Sequence, residues 1–322
     1  MRIAVVGTGN IAEHFVEAVS DCEGMEVAAI YSRSKKNAGR FASAFDIPET
    51  FTNLEDLAKS PRVGAVYIAS PNSCHYEHSV LMMRSGKHVL CEKPVATSAE
   101  ELSKMLRIAK ENGVVLLEAS MHLFSPGIGV LRSLLPEIGT VRRVALTMNQ
   151  YSSKYDRFKQ GDIGNVFKTE FAGGALMDIG IYCIELMVAL FGKPESVVSS
   201  SVFLHTGVDG QGSAIARYDG FLAELSYSKI SQSVTPCAIQ GEKGSLVFAW
   251  PSTIDEIDVV MRNGEKRRIN CNCPENQLIC EARAFFDMVK DPEKAAPYNR
   301  YSMISQTIMD EIKRQGSQEN NR

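Results

Sequence analysis

The 322-residue sequence predicts an α/β protein: an N-terminal doubly wound parallel sheet followed by an α+β unit built on a large, open, mostly antiparallel sheet. Two observations predict it. Up to about residue 119, apolar runs of strand length alternate with helical stretches, the pattern of a parallel sheet covered by helices. After Pro126, long and partly alternating strands take over, and turns such as Asp219-Gly220 and Asn263-Gly264 join some of them. Residues 1–119 are therefore expected to form one domain and residues 120–322, closing helices included, a second.

In the first domain the apolar runs place strands at 2–6, 26–31, 64–69, 87–91 and 114–118, with helices between them at 10–20, 34–44, 53–58, 73–85 and 98–112. In the second, strands are expected at 141–151, 196–205, 212–218, 221–230, 236–240, 244–248 and 256–261. A central helix at 174–190 and closing helices near 276–289 and 300–314 complete the expectation, and the polar residues 316–322 read as a disordered tail.

The composition is that of an ordinary globular chain, 44% hydrophobic and 23% charged, long enough for two cores. A net charge of −3 argues against nucleic acid as a partner. No uninterrupted apolar stretch of membrane-spanning length is evident, and a strand beginning at Arg2 or Ile3 leaves no room for a signal peptide, so a cytoplasmic protein without a membrane partner is expected. The eight cysteines are scattered, with no CxxC pair, which makes a disulfide framework or a metal site improbable.

The most specific local signal is Gly7-Thr8-Gly9-Asn10-Ile11-Ala12, which interrupts the apolar run Ile3-Ala4-Val5-Val6. The first glycine permits a tight turn, the second lets the backbone approach a pyrophosphate, and Ala12 lets the next helix lie close on the strand. That helix, with Ile11, Phe15, Val16 and Val19 on its buried side, would aim its N-terminal amides at the pyrophosphate. This is a dinucleotide-binding Rossmann turn. About twenty residues later, where an acidic residue would hold the ribose hydroxyls of NAD, the chain reads Tyr31-Ser32-Arg33-Ser34-Lys35-Lys36. Ser32 and Ser34 can donate hydrogen bonds and Arg33 can form a charged fork to a 2′-phosphate, so NADP(H) fits better, with NAD(H) as the alternative.

Three further segments sit at strand ends or at a helix entry, where polar groups line the crevice of such a sheet. They are Ala69-Ser70-Pro71-Asn72-Ser73-Cys74-His75, Cys91-Glu92-Lys93-Pro94, and Gly173-Gly174-Ala175-Leu176-Met177-Asp178-Ile179-Gly180-Ile181-Tyr182. Candidate cofactor residues are thus Gly7, Thr8, Gly9, Asn10, Ile11, Ser32, Arg33, Ser70, Pro71, Asn72, His75, Glu92 and Lys93. With these segments in place, the chain resembles the glucose-fructose oxidoreductase, inositol dehydrogenase and rhizopine catabolism family over essentially its whole length. Within it the chain is most similar to the dimeric dihydrodiol dehydrogenase and glucose-fructose oxidoreductase branch, because Tyr182 stands where many members carry histidine and Asn165-Val166-Phe167 precedes the glycine pair.

The resemblance implies that Lys93 contacts both the nicotinamide ribose and the reacting oxygen, and that Asp178 and Tyr182 face the substrate. Physical chemistry agrees with that grouping. Asp178 and Tyr182 are four apart, so on an α-helix they share a face. Hydride transfer to a carbonyl leaves an alkoxide; an ammonium can stabilise it while a phenol supplies the proton, provided a cation such as Lys93 lowers the phenol's pKa. Lys93, Tyr182 and Asp178 are the expected catalytic residues. One departure stands out: relatives carry arginine where this chain has Leu123, in Glu118-Ala119-Ser120-Met121-His122-Leu123-Phe124-Ser125-Pro126, and His122 is a candidate substrate residue in partial compensation.

The expected protein is an NADP(H)-dependent oxidoreductase interconverting a hydroxyl and a carbonyl on a sugar, polyol or diol. Two rivals keep the fold: a hydrolase that uses bound NAD for transient oxidation, and a nucleotide-sensing regulator without chemistry. Val198, Val202 and Leu204 alternate along one strand of an open sheet, so a homodimer built sheet to sheet is expected.

Overall fold

A computed structural model of the chain describes residues 1–320. In chain order the elements are β1 (Arg2–Val6), α1 (Asn10–Ser20), β2 (Glu26–Tyr31), α2 (Lys35–Ala44), β3 (Glu49–Phe51), α3 (Leu54–Lys59), β4 (Ala65–Ile68), α4 (His75–Arg84), β5 (His88–Glu92), α5 (Ala99–Glu111) and β6 (Leu116–Ala119). There follow α6 (Pro126–Leu134), β7 (Val141–Asn149), α7 (Tyr155–Lys159), a π-helical turn (Leu176–Gly180) and α8 (Ile181–Phe191). The chain ends with β8 (Ser196–Phe203), β9 (Asp209–Tyr218), β10 (Phe221–Ser228), β11 (Cys237–Gly241), β12 (Gly244–Phe248), β13 (Glu256–Met261), β14 (Lys266–Asn270), α9 (Leu278–Lys290) and α10 (Ala296–Asn320).

Two compact units result, and their boundaries differ from the expected ones. The first unit comprises residues 1–121 together with 274–303; the second comprises 122–273 with the chain from Ile304 onward. The closing helices are thus not all in the second unit. The reason is α9, which packs on α1: Asn276 Nδ2 donates to the His14 carbonyl at 2.9 Å, and the Arg283 guanidinium donates to the Asp21 carbonyl at 3.2 Å.

The first unit holds a six-stranded, all-parallel sheet in the order β3-β2-β1-β4-β5-β6, the doubly wound arrangement expected. The three-residue strand β3 escaped the sequence reading because Glu49-Thr50-Phe51 is too short to show a period. Strands β1, β4 and β5 are apolar and buried on both faces, as parallel strands covered by helices must be. Helix α1 buries Ala12, Phe15, Val16, Ala18 and Val19; Ile11, expected on that face, is exposed at the helix entry.

The second unit holds an eight-stranded sheet in the order β14-β13-β12-β11-β7-β10-β9-β8, antiparallel except for the β7/β10 pair. The eighth strand, β14, is Lys-Arg-Arg-Ile-Asn; charge of that density protects a sheet edge and hid the strand from a search for apolar alternation. One face of the sheet is buried, with Ala214, Ala216, Ala223, Leu225 and Tyr227 turned inward. On the opposite face Val198, Val202, Ile215 and Leu222 are exposed. Leu204 does not join them: it is partly buried against the Phe158, Phe167 and Val208 cluster.

Two further expectations are corrected here. Residues 316–320 do not form a loose tail; α10 runs on to Asn320, and residues 321 and 322 lie outside the described part of the chain. The helical segment Thr169–Phe191 is, by length and composition, long and apolar enough to cross a membrane, which the sequence reading denied, and 78% of its most apolar window is buried inside the protein. It serves as the core helix of the second unit.

Candidate functional site

In the first unit, the β1 turn is built for close approach. Gly7 has φ of +123°, and a Cβ there would lie 2.5 Å from the Ala69 carbonyl oxygen, so only glycine lets the turn pass the end of β4. Its amide donates to the Tyr31 carbonyl at 3.1 Å, which ties the turn to β2 as well. A Cβ on Gly9 would meet nothing within 4 Å, and no side chain caps α1. The turn therefore presents open space beside the bare N-terminal amides that follow Thr8 and Gly9, which is the cradle a pyrophosphate needs.

At the end of β2, Arg33 is exposed and Ser32 is half-buried, with its amide donating to the Phe51 carbonyl at 3.1 Å. Ser34 is committed elsewhere: its hydroxyl caps α2 by accepting from the Asn37 amide at 3.3 Å. No carboxylate occupies residues 31–36.

The ends of β4 and β5 are riveted by His75. Its ring is buried, with Nε2 2.8 Å from the Ser70 carbonyl and Nδ1 2.8 Å from the Pro94 carbonyl. A neutral imidazole can donate to only one of the two, and the imidazolium that would serve both is disfavoured by burial first and by Lys93 as well. Pro71 and Asn72 form the short turn that leads into α4. His78, one turn further along, was missed: its Nδ1 lies 3.0 Å from the Ser70 hydroxyl, and burial, then His75 and Arg33, push its pKa down to about 4. The spacing of three after His75, which puts the two rings on one helix face, is the signal that could have found it.

Glu92 and Lys93 close β5, and the Lys93-Pro94 peptide is cis. The Glu92 carboxylate accepts from the Tyr67 hydroxyl, Glu118 Oε1 accepts from the Val95 amide at 2.8 Å, and Glu281 of α9 is fully buried. Burial raises the Glu92 pKa, with Lys93 opposing; burial together with Glu92 and Glu118 holds Glu281 well above the usual carboxylate range. Glu281 comes from α9, a helix the sequence predicts to be in the other domain.

In the second unit, the glycine pair Gly173-Gly174 makes a crowded entry. A Cβ on Gly173 would lie 2.4 Å from the Val166 carbonyl oxygen and one on Gly174 2.1 Å from Asp209 Oδ1, where φ is +116°. Asp209 Oδ2 accepts from the Leu176 amide at 2.7 Å and so fixes the first turn of the helix. The helix then departs from expectation. Leu176–Gly180 is a π turn, not α, so Asp178 lies before the α-helical register of Tyr182 begins and the one-face argument does not hold for this pair. A glycine is required there too: a Cβ on Gly180 would be 2.9 Å from the buried Tyr227 ring.

Asp178 is ion-paired with Lys229, the residue that follows β10. Lys229 was missed, although a lysine closing an apolar strand is the same signal that singled out Lys93. Tyr182 is half-buried, with the His122 ring set edge-on against it at 5.1 Å between centroids. His122 itself is fully buried, 3.5 Å from the equally buried Glu185 carboxylate, so the expected direct substrate contact gives way to a place behind Tyr182. Leu123 is buried as well. Among the described residues, no group of three or more His, Cys, Asp or Glu side chains is arranged to hold a metal ion.

Asp209 makes a test of this entry. Burial raises its pKa to about 6, against the pull of the helix amides. A raised folded-state pKa means stability that is whole below about pH 4 and is lost as pH rises through about 6, by about 3 kcal/mol for two units. Asp209→Asn keeps the acceptor and removes the charge. Its stability relative to the parent, measured by urea unfolding, is expected to climb by up to about 3 kcal/mol between pH 4 and pH 7; a constant difference over that range would contradict the assignment.

The comparisons with known proteins agree with this geometry. Residues 1–120 match the oxidoreductase family with an NAD-binding Rossmann fold, and residues 136–247 match the C-terminal domain of the same GFO/IDH/MocA family. The chain is 41% identical over 317 residues to a scyllo-inositol 2-dehydrogenase (NADP(+)) of Bacillus subtilis, covering 98% of this chain and 97% of that protein. It is 32% identical to a trans-1,2-dihydrobenzene-1,2-diol dehydrogenase of Mus musculus, over 83% of this chain and 79% of the relative. A crystal structure of a 3-ketoreductase from Actinomadura kijaniata, in complex with NADP and TDP-benzene, superposes with a TM-score of 0.89 at 25% identity over 98% of each chain. The chain belongs to the GFO/IDH/MocA family and is an NAD(P)-dependent oxidoreductase acting on hydroxyl groups.

Proposed function

We propose that this protein interconverts a hydroxyl and a carbonyl on a sugar, polyol or diol with NADP(H) as the redox partner. The observation that carries the cofactor choice is the end of β2, where Ser32 and an exposed Arg33 stand and no carboxylate does. The bound cofactor supplies or accepts the hydride. Gly7, Thr8, Gly9, Asn10 and Ile11 hold its pyrophosphate through backbone amides and open space. Ser70, Pro71, Asn72 and Glu92 shape the strand ends beside it, and His75 keeps the Ser70 and Pro94 carbonyls at a fixed separation.

Lys93 then offers an ammonium to the developing alkoxide, Tyr182 Oη gives or takes the proton, and Asp178 orients the substrate. A sheet-to-sheet homodimer follows from Val198, Val202, Ile215 and Leu222, which share the open face. A cytoplasmic location is supported by the free, buried thiols of Cys22, Cys91, Cys183, Cys237 and Cys271.

The direct test is a screen of keto-sugars, polyols and diols with NADPH and NADP+, followed at the nicotinamide absorbance. Net turnover is expected; cofactor retained through catalysis without net turnover would favour the transient-oxidation hydrolase instead.

Arg33→Asp is expected to weaken NADP(H) binding about ten- to a hundredfold, the worth of one charge-assisted hydrogen bond, and to shift preference toward NAD(H) in a fluorescence titration. Equal affinity of the parent for both cofactors would count against the reading. Tyr182→Phe should lower kcat by about a hundred- to ten-thousandfold with little change in cofactor affinity; retention of most of the rate would return Tyr182 to a packing role. Sedimentation should report a dimer at micromolar concentration, and Val198→Glu with Ile215→Glu should yield a monomer that still binds NADPH.

A further inference from the structure

Asp178 has no cation within its own helix: no lysine or arginine occurs between residues 172 and 191. Its partner comes from 51 residues away, and the placement is rigid. The Lys229 amide donates to the Gly210 carbonyl at 2.9 Å, and the Ser152 amide donates to the Lys229 carbonyl at 2.9 Å, so the residue is pinned between two neighbouring segments. Just before it, the Ser228 hydroxyl accepts from the amides of Ile230 and Ser231 at 3.2 and 3.0 Å and fixes the turn that follows β10. From the other side, the π turn rests on β10, with Gly180 against the Tyr227 ring.

As a stabilising device this arrangement is poor. Burying an ammonium costs several kcal/mol of hydration, as a general rule, and an apolar pair of the same volume is often more stable. The Lys229 side chain is nonetheless only 10% exposed, while that of Asp178 is 36% exposed, so the pair is held at an opening and not sealed in the core. One end of the pair offers acceptor lone pairs and the other N–H donors, and its net charge is zero. Such a surface suits a neutral group that both donates and accepts at adjacent oxygens.

We propose that Asp178 and Lys229 act as one recognition unit for two adjacent hydroxyls, the carboxylate accepting from one and the ammonium donating to its neighbour, so that the substrate carries a vicinal diol or the corresponding α-hydroxyketone. Lys229 is then a specificity-determining residue. The proposal rests on the reading of the protein as a polyol-type oxidoreductase, and it narrows the substrate class of that site.

The test compares NADPH-dependent reduction of 2-hydroxycyclohexanone with that of cyclohexanone. The parent is expected to favour the hydroxyketone in kcat/KM by about a hundredfold, the effect of a charge-assisted hydrogen bond to the added hydroxyl. Lys229→Met should reduce that ratio tenfold or more, chiefly through KM for the hydroxyketone, and Lys229→Arg should recover part of it. In a cycle with Asp178→Asn, the double variant should lose no more of the ratio than the worse single variant, because both belong to one unit. The double variant also removes the charge imbalance, so it reports even where Lys229→Met alone fails to fold. A ratio that stays at the parent value in the variants, or additive losses in the cycle, would overturn the proposal. Absence of turnover of either ketone, with NADPH still bound by fluorescence, would instead remove the oxidoreductase reading on which the proposal stands.

Discussion

The second unit is organised around one constraint: its central helix is apolar on all sides, so nothing within the helix can fix where it starts. Residues 174–191 contain Asp178 and Glu185 as their only charged side chains, and most of the helix is buried. The amides of its first turn need acceptors, which an apolar sequence cannot give them. Asp209, at the start of β9, provides one, and the glycine pair lets it come close enough to do so. Lys229, at the end of β10, fixes the next polar group, Asp178. The helix entry is therefore positioned by two charged residues on neighbouring strands, and the π turn between Leu176 and Gly180 absorbs the mismatch between those anchors and the α-helical register beyond. A turn of this kind costs hydrogen-bond quality and persists where its surroundings over-determine it.

The first unit solves a different problem, that of keeping an anion site open at the end of a close-packed sheet. Gly7 carries the chain past the Ala69 carbonyl where any side chain would collide, whereas Gly9 faces empty space. The two glycines thus have opposite packing environments and one purpose. Behind the strand ends, the polar groups are held by each other: Tyr67 on Glu92, Glu118 on the Val95 amide, His75 between two carbonyls. Glu281, fully buried, joins this group, and burial together with Glu92 and Glu118 pushes its pKa up. Burial disfavours the charged form of each carboxyl in such a network, and the hydrogen bonds among its members offset that cost.

What could be read from sequence follows from the range of each interaction. The glycine turn, the parallel strands and the alternating strands of the second sheet are local patterns, and they were legible. Lys93, Asp178 and Tyr182 stand out in the sequence for the same local reason, each lying at a punctuated strand end or helix entry. The rest depends on partners far along the chain. Nothing near Asp178 announces Lys229, nothing near Leu176 announces Asp209, and nothing in α9 announces that Glu281 packs behind β5. The helix-face argument for Asp178 and Tyr182 failed for a related reason. A period of 3.6 assumes an undisturbed helix, and the crowding of Gly180 against Tyr227 occurs between elements that are 47 residues apart. His122 was misjudged because a histidine beside a family arginine position looks like a ligand, while its surroundings, Tyr182 and Glu185, are set by the same distant packing.

These dependencies also separate the two tasks the protein performs. Ser32 and Arg33, proposed above to select the cofactor, stand on a short segment after β2 where Arg33 is exposed, so its charge can change without disturbing a core. Asp178 and Lys229, proposed above to recognise substrate, are instead embedded in a buried helix entry and a sheet, where altering one charge leaves the other uncompensated. The first kind of specificity is therefore open to single substitutions. The second requires paired ones: neutralising Asp178 takes the carboxylate of the pair from Lys229, and losing Lys229 takes the ammonium from Asp178. A family that keeps its Rossmann turn while serving different hydroxylated substrates would be expected to vary such charged pairs together, as units, and not residue by residue.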